Sequence, residues 1–210
     1  MDMDFDLSES VSRIAVRHAR KGTPIEKAWP EVVAAARRGI GASLAKTALE
    51  LPITASLVQV AATYAALLAR DRPGKAVKGL WFGLVELSMD DSLKNTTITP
   101  YLAGAPTFDP KSEDWPCGPT WMPKDCYAMN PAMLTLSKLR KRAGDRAWFI
   151  ETALIEPLNT LFCGCIVHGM LPDLLLTGAP KRGIGCGYDS GDLRTLGVLD
   201  ANGFKPISAR

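Results

Sequence analysis

Up to about position 70 apolar residues recur every three or four places, and from about position 80 they run together in short blocks, so the chain changes its period once. Val11, Ile14, Ala15 and Ala19 form one stripe. With Ser8 as a cap before it and Gly22 after it, the stripe predicts a first helix. Ile25, Ala28, Trp29, Val32, Val33 and Ala36 make a second stripe, and Thr23-Pro24-Ile25-Glu26 has the form of a capping box with proline at the first helical position. Gly39 and Gly41 end it. A third helical stretch covers 43–70, interrupted near Pro52, and Asp71-Arg72-Pro73-Gly74 reads as a turn.

Residues 80–87 are strand formers too continuous for one-sided alternation, which predicts a strand covered on both faces. Residues 96–102 return as its antiparallel partner, and Pro100, lacking a ladder donor, places that strand at an edge or ends it. Two more strands are expected at 183–188 and 193–199, joined by the turn Asp189-Ser190-Gly191-Asp192. Between the pairs lie a helix opened by Pro131 and a helical run from 145, in which Leu154, Leu158, Leu161 and Cys165 share a face. Pro157 within that run predicts a kink or a restart. The expectation is one α+β domain over 1–210. A helical portion (1–72) precedes a mostly antiparallel sheet portion (73–210) with two helical segments inserted between strands.

Composition narrows the class. Apolar residues make up 47% and charged residues 22%, which excludes intrinsic disorder. A net charge of +3 is too small to argue for nucleic acid. Arg17, Arg20, Lys21, Arg37 and Arg38 sit at helix ends or on polar faces without interleaved aromatics, so the sequence argues for solvated faces and against a nucleic-acid partner. The opening decapeptide carries three aspartates and a glutamate where an export signal is basic and then apolar. With an odd count of five cysteines, this predicts reduced thiols and a cytoplasmic protein. Residues 51–69 are uncharged and long enough to span a bilayer, but Pro52, Thr54, Ser56, Gln59 and Thr63 favour a buried helix and no membrane partner.

Two stretches carry candidate chemistry. "FCGCIVHG" (162–169) gathers two cysteines and a histidine. On a helix, two positions subtend about 200°, so Cys163 and Cys165 point apart, while Cys165 and His168 share a face. That is half a zinc site in need of distant ligands, with Cys186 a candidate donor. The favoured reading places Cys165 in the core, Cys163 against a neighbouring element and His168 at a helix end, with no cofactor and no metal. The alternative is a metal-dependent or cysteine-based hydrolase using Cys163, Cys165 and His168, helped by Asp173. The loop at 105–131 holds six prolines with Trp115, Trp121, Cys117 and Cys126. Its tryptophans either pin it to the sheet or, with Glu113 and Asp114 on the rim, anchor a partner.

The segment "TITPYLAGAPTFDPKSEDWPCGPTWMP" and the later "GCGYDSGDLRTLGVLDANGF" together resemble uncharacterised bacterial immunity proteins of polymorphic or contact-delivered toxin systems. The likeness lies in a W-x-C segment and a G-[FY]-D-x-G-D turn and covers about a quarter of the chain. It implies a non-enzymatic module that binds a cognate toxin tightly. On that reading Glu113, Asp114, Trp115, Trp121, Asp189 and Asp192 are the partner-binding residues, their acids suited to a basic toxin such as a nuclease.

Overall fold

A computed structural model of the chain describes residues 2–88, 90, 96–112, 114–189 and 193–207. Four helices come first: α1 (Asp2–Lys21), α2 (Ile25–Ile40), α3 (Ala42–Leu49) and α4 (Ile53–Arg70). Strands β1 (Gly79–Ser88) and β2 (Thr96–Ala105) follow. After a long loop come α5 (Pro131–Arg142), α6 (Ala147–Ile150), α7 (Glu156–Cys165) and α8 (Pro172–Leu176), then β3 (Lys181–Tyr188), β4 (Leu193–Asp200) and β5 (Gly203–Pro206). The sheet order is β2-β1-β3-β4-β5, parallel only between β1 and β3. The class is α+β, with the N-terminal helices preceding a mostly antiparallel sheet and helical segments inserted between its strands.

Two expected helix starts are corrected. The first helix begins at Asp2, and Ser8 lies buried inside it. Ser8 stands three and seven positions before Val11 and Ala15, so it falls on the packed stripe, and packing of that face outweighs its value as a cap. The capping box at Thr23 does not form. The Thr23 hydroxyl pairs with His18 Nδ1 at 3.1 Å, Glu26 Oε1 accepts from the Thr54 hydroxyl at 2.8 Å, and Pro24 occupies the cap position without a side-chain bond. Both polar groups found tertiary partners instead.

β1 is covered on both faces from Gly79 to Leu84, as its apolar run predicts, and its last four residues, from Val85 to Ser88, alternate between half-buried and exposed. Leu80, Phe82 and Leu84 stand level with Ile184, Cys186 and Tyr188 of β3. This side faces the helices: Phe82 meets Tyr64 of α4 edge-on, and Asn159 of α7 donates to the Phe82 carbonyl at 2.9 Å. The other side carries Gly79, Trp81 and Gly83, aligned with Gly183, Gly185 and Gly187. β2 runs through Pro100 at the sheet edge. The long loop closes that edge, since the Leu102 and Gly104 amides donate to the Cys126 and Trp121 carbonyls and the Ala128 amide donates to Pro100. An open strand edge is a template for unwanted pairing, and here the chain blocks it itself.

From Gly144 to Met170 the backbone is helical throughout but widens twice to π geometry, at Glu151–Ile155 and Ile166–Met170. The first widening directly precedes Pro157, whose ring would clash with the carbonyl four residues back in a regular helix. The expected kink is thus absorbed as a wider turn. This run and α4 are long and apolar enough to cross a membrane; 83% of the most apolar 18-residue window of the first and 39% of the second is buried in the fold.

Arg182 is fully buried and faces no carboxylate among the described residues. Its Nη1 donates to the Val77 carbonyl at 2.7 Å, and Nη2 to Pro73 and Thr177 at 2.8 and 3.0 Å. The guanidinium thereby ties the turn after α4 and the end of α8 to β3, and burial weakens its hold on its proton.

Candidate functional site

The glycine-lined face of the sheet is where the chain places its aromatic rings. A Cβ on Gly79 or Gly185 would overlap the Trp115 ring, one on Gly183 the Phe108 ring, and one on Gly83 the Tyr101 ring. The missing side chains make a flat seat on which Trp115 lies between Trp81 and Phe108, at centroid distances of 6.3 and 5.2 Å. Trp115 donates to the Thr195 hydroxyl at 3.3 Å and Trp121 to Asp71 Oδ1 at 3.2 Å. Both tryptophans are buried, so they pin the loop to the sheet.

Beside this stack a cleft of about 250 Å³ opens between Trp81, Tyr101, Met122, Tyr188 and Asp189, with Pro116 to Pro119 as its far wall. A hydrogen-bond chain runs along it. Trp81 Nε1 donates to the Tyr101 oxygen at 2.9 Å, and the Tyr101 hydroxyl donates to the Asp189 carboxylate. Burial first, then the neighbouring carboxylate, push the Tyr101 phenol well above its ordinary range. It therefore stays protonated and keeps Asp189 oriented as a fixed negative charge on an apolar wall. Met122 is exposed at the mouth, as is Cys117.

Of the expected partner-binding residues, Asp189 lies in the cleft, Trp115 lies behind it and Trp121 lies at the β2 edge. Asp114 is exposed on the loop, and Glu113 and Asp192 lie outside the described residues. The sequence does not mark Trp81 and Tyr101, because an aromatic in an apolar strand carries no sign of which face it takes, nor Met122, a lone apolar residue in the long loop. The glycines at every second position of 183–187 are the signal that could have marked that face.

The residues of "FCGCIVHG" are not brought together as a reactive centre. Cys163 is fully buried, facing Cys186, with its thiol pushed well above the ordinary range by burial and by that neighbour. The expected roles of the two cysteines exchange, for Cys165 is the half-buried one, its Sγ 3.8 Å from the Thr23 carbonyl. Burial pushes its thiol up to about 11. His168 is exposed, bonded through Nε2 to the Arg20 carbonyl at 3.1 Å and stacked edge-on against Phe204. Asp173 heads α8. Among the described residues no three His, Cys, Asp or Glu side chains are placed to hold a metal ion. What joins the stretch is packing: Gly164 lets α7 approach α1, since a Cβ there would fall 2.5 Å from Ala19 Cα.

A labelling prediction follows from these environments. At pH 8 a thiol with a pKa near 11 is about one part in a thousand thiolate. Native protein treated with iodoacetamide is expected to modify at exposed Cys117 first, with Cys163, Cys165 and Cys186 reacting only on unfolding. Peptide mass spectrometry reads the order, and early modification at Cys165 would mark a reactive thiol.

Compared with protein families, curated proteins and solved structures, the chain matches none.

Proposed function

We propose that this chain is a non-enzymatic protein-binding module, a bacterial immunity protein that acts in the cytoplasm by holding a cognate toxin at the Trp81–Tyr101–Asp189 cleft. One observation carries the reading. The two segments that give the sequence its resemblance, the W-x-C of the loop and the G-Y-D at the end of β3, lie about 70 positions apart and meet at this one cleft through Cys117, Tyr188 and Asp189. An apolar pocket that carries the Asp189 carboxylate suits the side chain of an arginine or lysine, whose stem covers the aromatic wall while its head meets Asp189. A basic toxin offers such side chains.

The test is retention of a partner from bacterial lysate by immobilised protein, comparing wild type with Asp189→Asn and Met122→Asp. Both positions are exposed, so the variants are expected to fold, which circular dichroism checks. The captured partner should bind Asp189→Asn at least tenfold more weakly, roughly 1.4 kcal/mol. It should also arrest growth when expressed alone and be harmless beside the wild-type chain. A partner that ignores both substitutions, or that is harmless by itself, overturns the reading.

A further inference from the structure

A larger groove, about 960 Å³, runs along the other side of Leu193, which forms the wall common to groove and cleft. One bank is α1 and the other is β4 with the chain after β5. Arg13, Arg17, Arg20, Lys21, Lys111 and Arg194 line it, and among the described residues Glu9 is the one carboxylate in the lining. Glu9 is shared between Arg13 at 3.2 Å and Arg194 at 2.9 Å, and Arg17 pairs with Glu31 at 3.1 Å. Among the described residues no carboxylate lies in ion-pair range of Arg20, Lys21 or Lys111. Arg20 is the most constrained of them. Its Nη2 is spent on the Thr195 carbonyl at 2.9 Å, and its Nε is buried without a hydrogen-bond partner. Burial also pulls its guanidinium below its ordinary value.

The remaining lining decides what class of anion fits. Val16, Leu193 and Ile207 supply its apolar lining, and among the described residues no aromatic ring lines the groove. Single-stranded nucleic acid is held on stacking platforms of aromatic rings as well as by charge, and this surface supplies only the charge. The α1 bank runs from Glu9 to Lys21, about 18 Å at the helical rise. That is the span of roughly six extended residues. We propose that this groove binds an extended, acidic and apolar segment of a protein partner, about six residues long, with its carboxylates on Arg20, Lys21 and Lys111 and its apolar side chains on Val16 and Leu193. The proposal rests on the protein-binding reading and gives the partner a second contact of opposite charge beside the first.

The probe is a fluorescein-labelled six-residue peptide of alternating glutamate and leucine, followed by fluorescence anisotropy. An alternating lysine and leucine peptide and a ten-nucleotide oligouridylate serve for comparison. The acidic peptide is expected to bind wild type and to bind the Lys21→Glu, Lys111→Glu double variant at least tenfold more weakly. Both lysines are exposed, so that variant keeps its fold. Arg20→Gln is expected to weaken binding as well, and Asp189→Asn is expected to leave it unchanged, so failure at the groove and failure at the cleft read separately. Absence of acidic-peptide binding at millimolar concentration, or equal binding by the double variant, overturns the proposal. Tighter binding of oligouridylate than of the acidic peptide overturns it in favour of nucleic acid.

Discussion

Gly164→Val is expected to cost about 3 kcal/mol of folding stability, the scale of overpacking at a fully packed contact. The new side chain would meet Ala19 Cα and its carbonyl oxygen, at 2.5 and 2.9 Å from the Cβ, and both belong to α1's backbone. A flexible side chain could swing aside; a helix backbone must shift as a whole. In a chain of this size each kcal/mol moves the melting temperature by about 2–4 °C, so thermal denaturation followed by circular dichroism should show a fall of roughly 6–12 °C. Gly169→Ala is the control, five residues further along the same helical run, where a Cβ meets nothing. If Gly164→Val melts with the wild type, close approach of α7 to α1 is not what that glycine provides.

Arg182→Met is expected to be similarly destabilising, about 3 kcal/mol. The carbonyls of Pro73, Val77 and Thr177 are backbone groups that no substitution can remove, and each loses a charge-assisted donor. Removing a buried cation recovers part of its desolvation penalty, which keeps the loss below the sum of the broken bonds. Arg182→Lys should recover less than half, because an ammonium cannot spread its donors as the planar fork does. Urea denaturation measures both. Limited proteolysis should find residues 71–77 opened first in Arg182→Met. Protection there equal to wild type would show that the turn holds without the guanidinium.

The helices of the first seventy residues were legible because each buries one stripe at a steady helical period, and α2 buries Ile25, Ala28, Trp29, Val32, Val33 and Ala36 as its pattern requires. β1 was legible for the opposite reason, its unbroken apolar run. What failed were local rules overridden by distant partners: Thr23 bonds His18 and Glu26 bonds Thr54, contacts that spacing along the chain does not reveal. The cysteines of "FCGCIVHG" were rightly set on opposite sides of a helix, but which side faced the core depended on where α1 and β3 lay. The cleft was half visible. Asp189 stood out as an acid in a turn, whereas Trp81 and Tyr101 looked like core, and only the pairing of Gly83 with Tyr101 and with Gly187 turns their face outward. The basic groove was invisible for the same reason. Arg20 lies 91 positions from Lys111 and 174 from Arg194, and no pattern along the chain joins them.

Gly79 pairs with Gly183, and between these neighbours lie β2, the long loop and the helices from α5 to α8. At a ribosome adding about 5–20 residues per second, those 104 positions take roughly 5–20 s to make. Through that interval β1 can pair with β2 on one side, while its other edge, the future centre of the sheet, has no strand to meet. A nascent chain of this protein thus carries an apolar, half-paired hairpin until residues 181–188 emerge, an interval set by chain order and not by the strength of the finished fold.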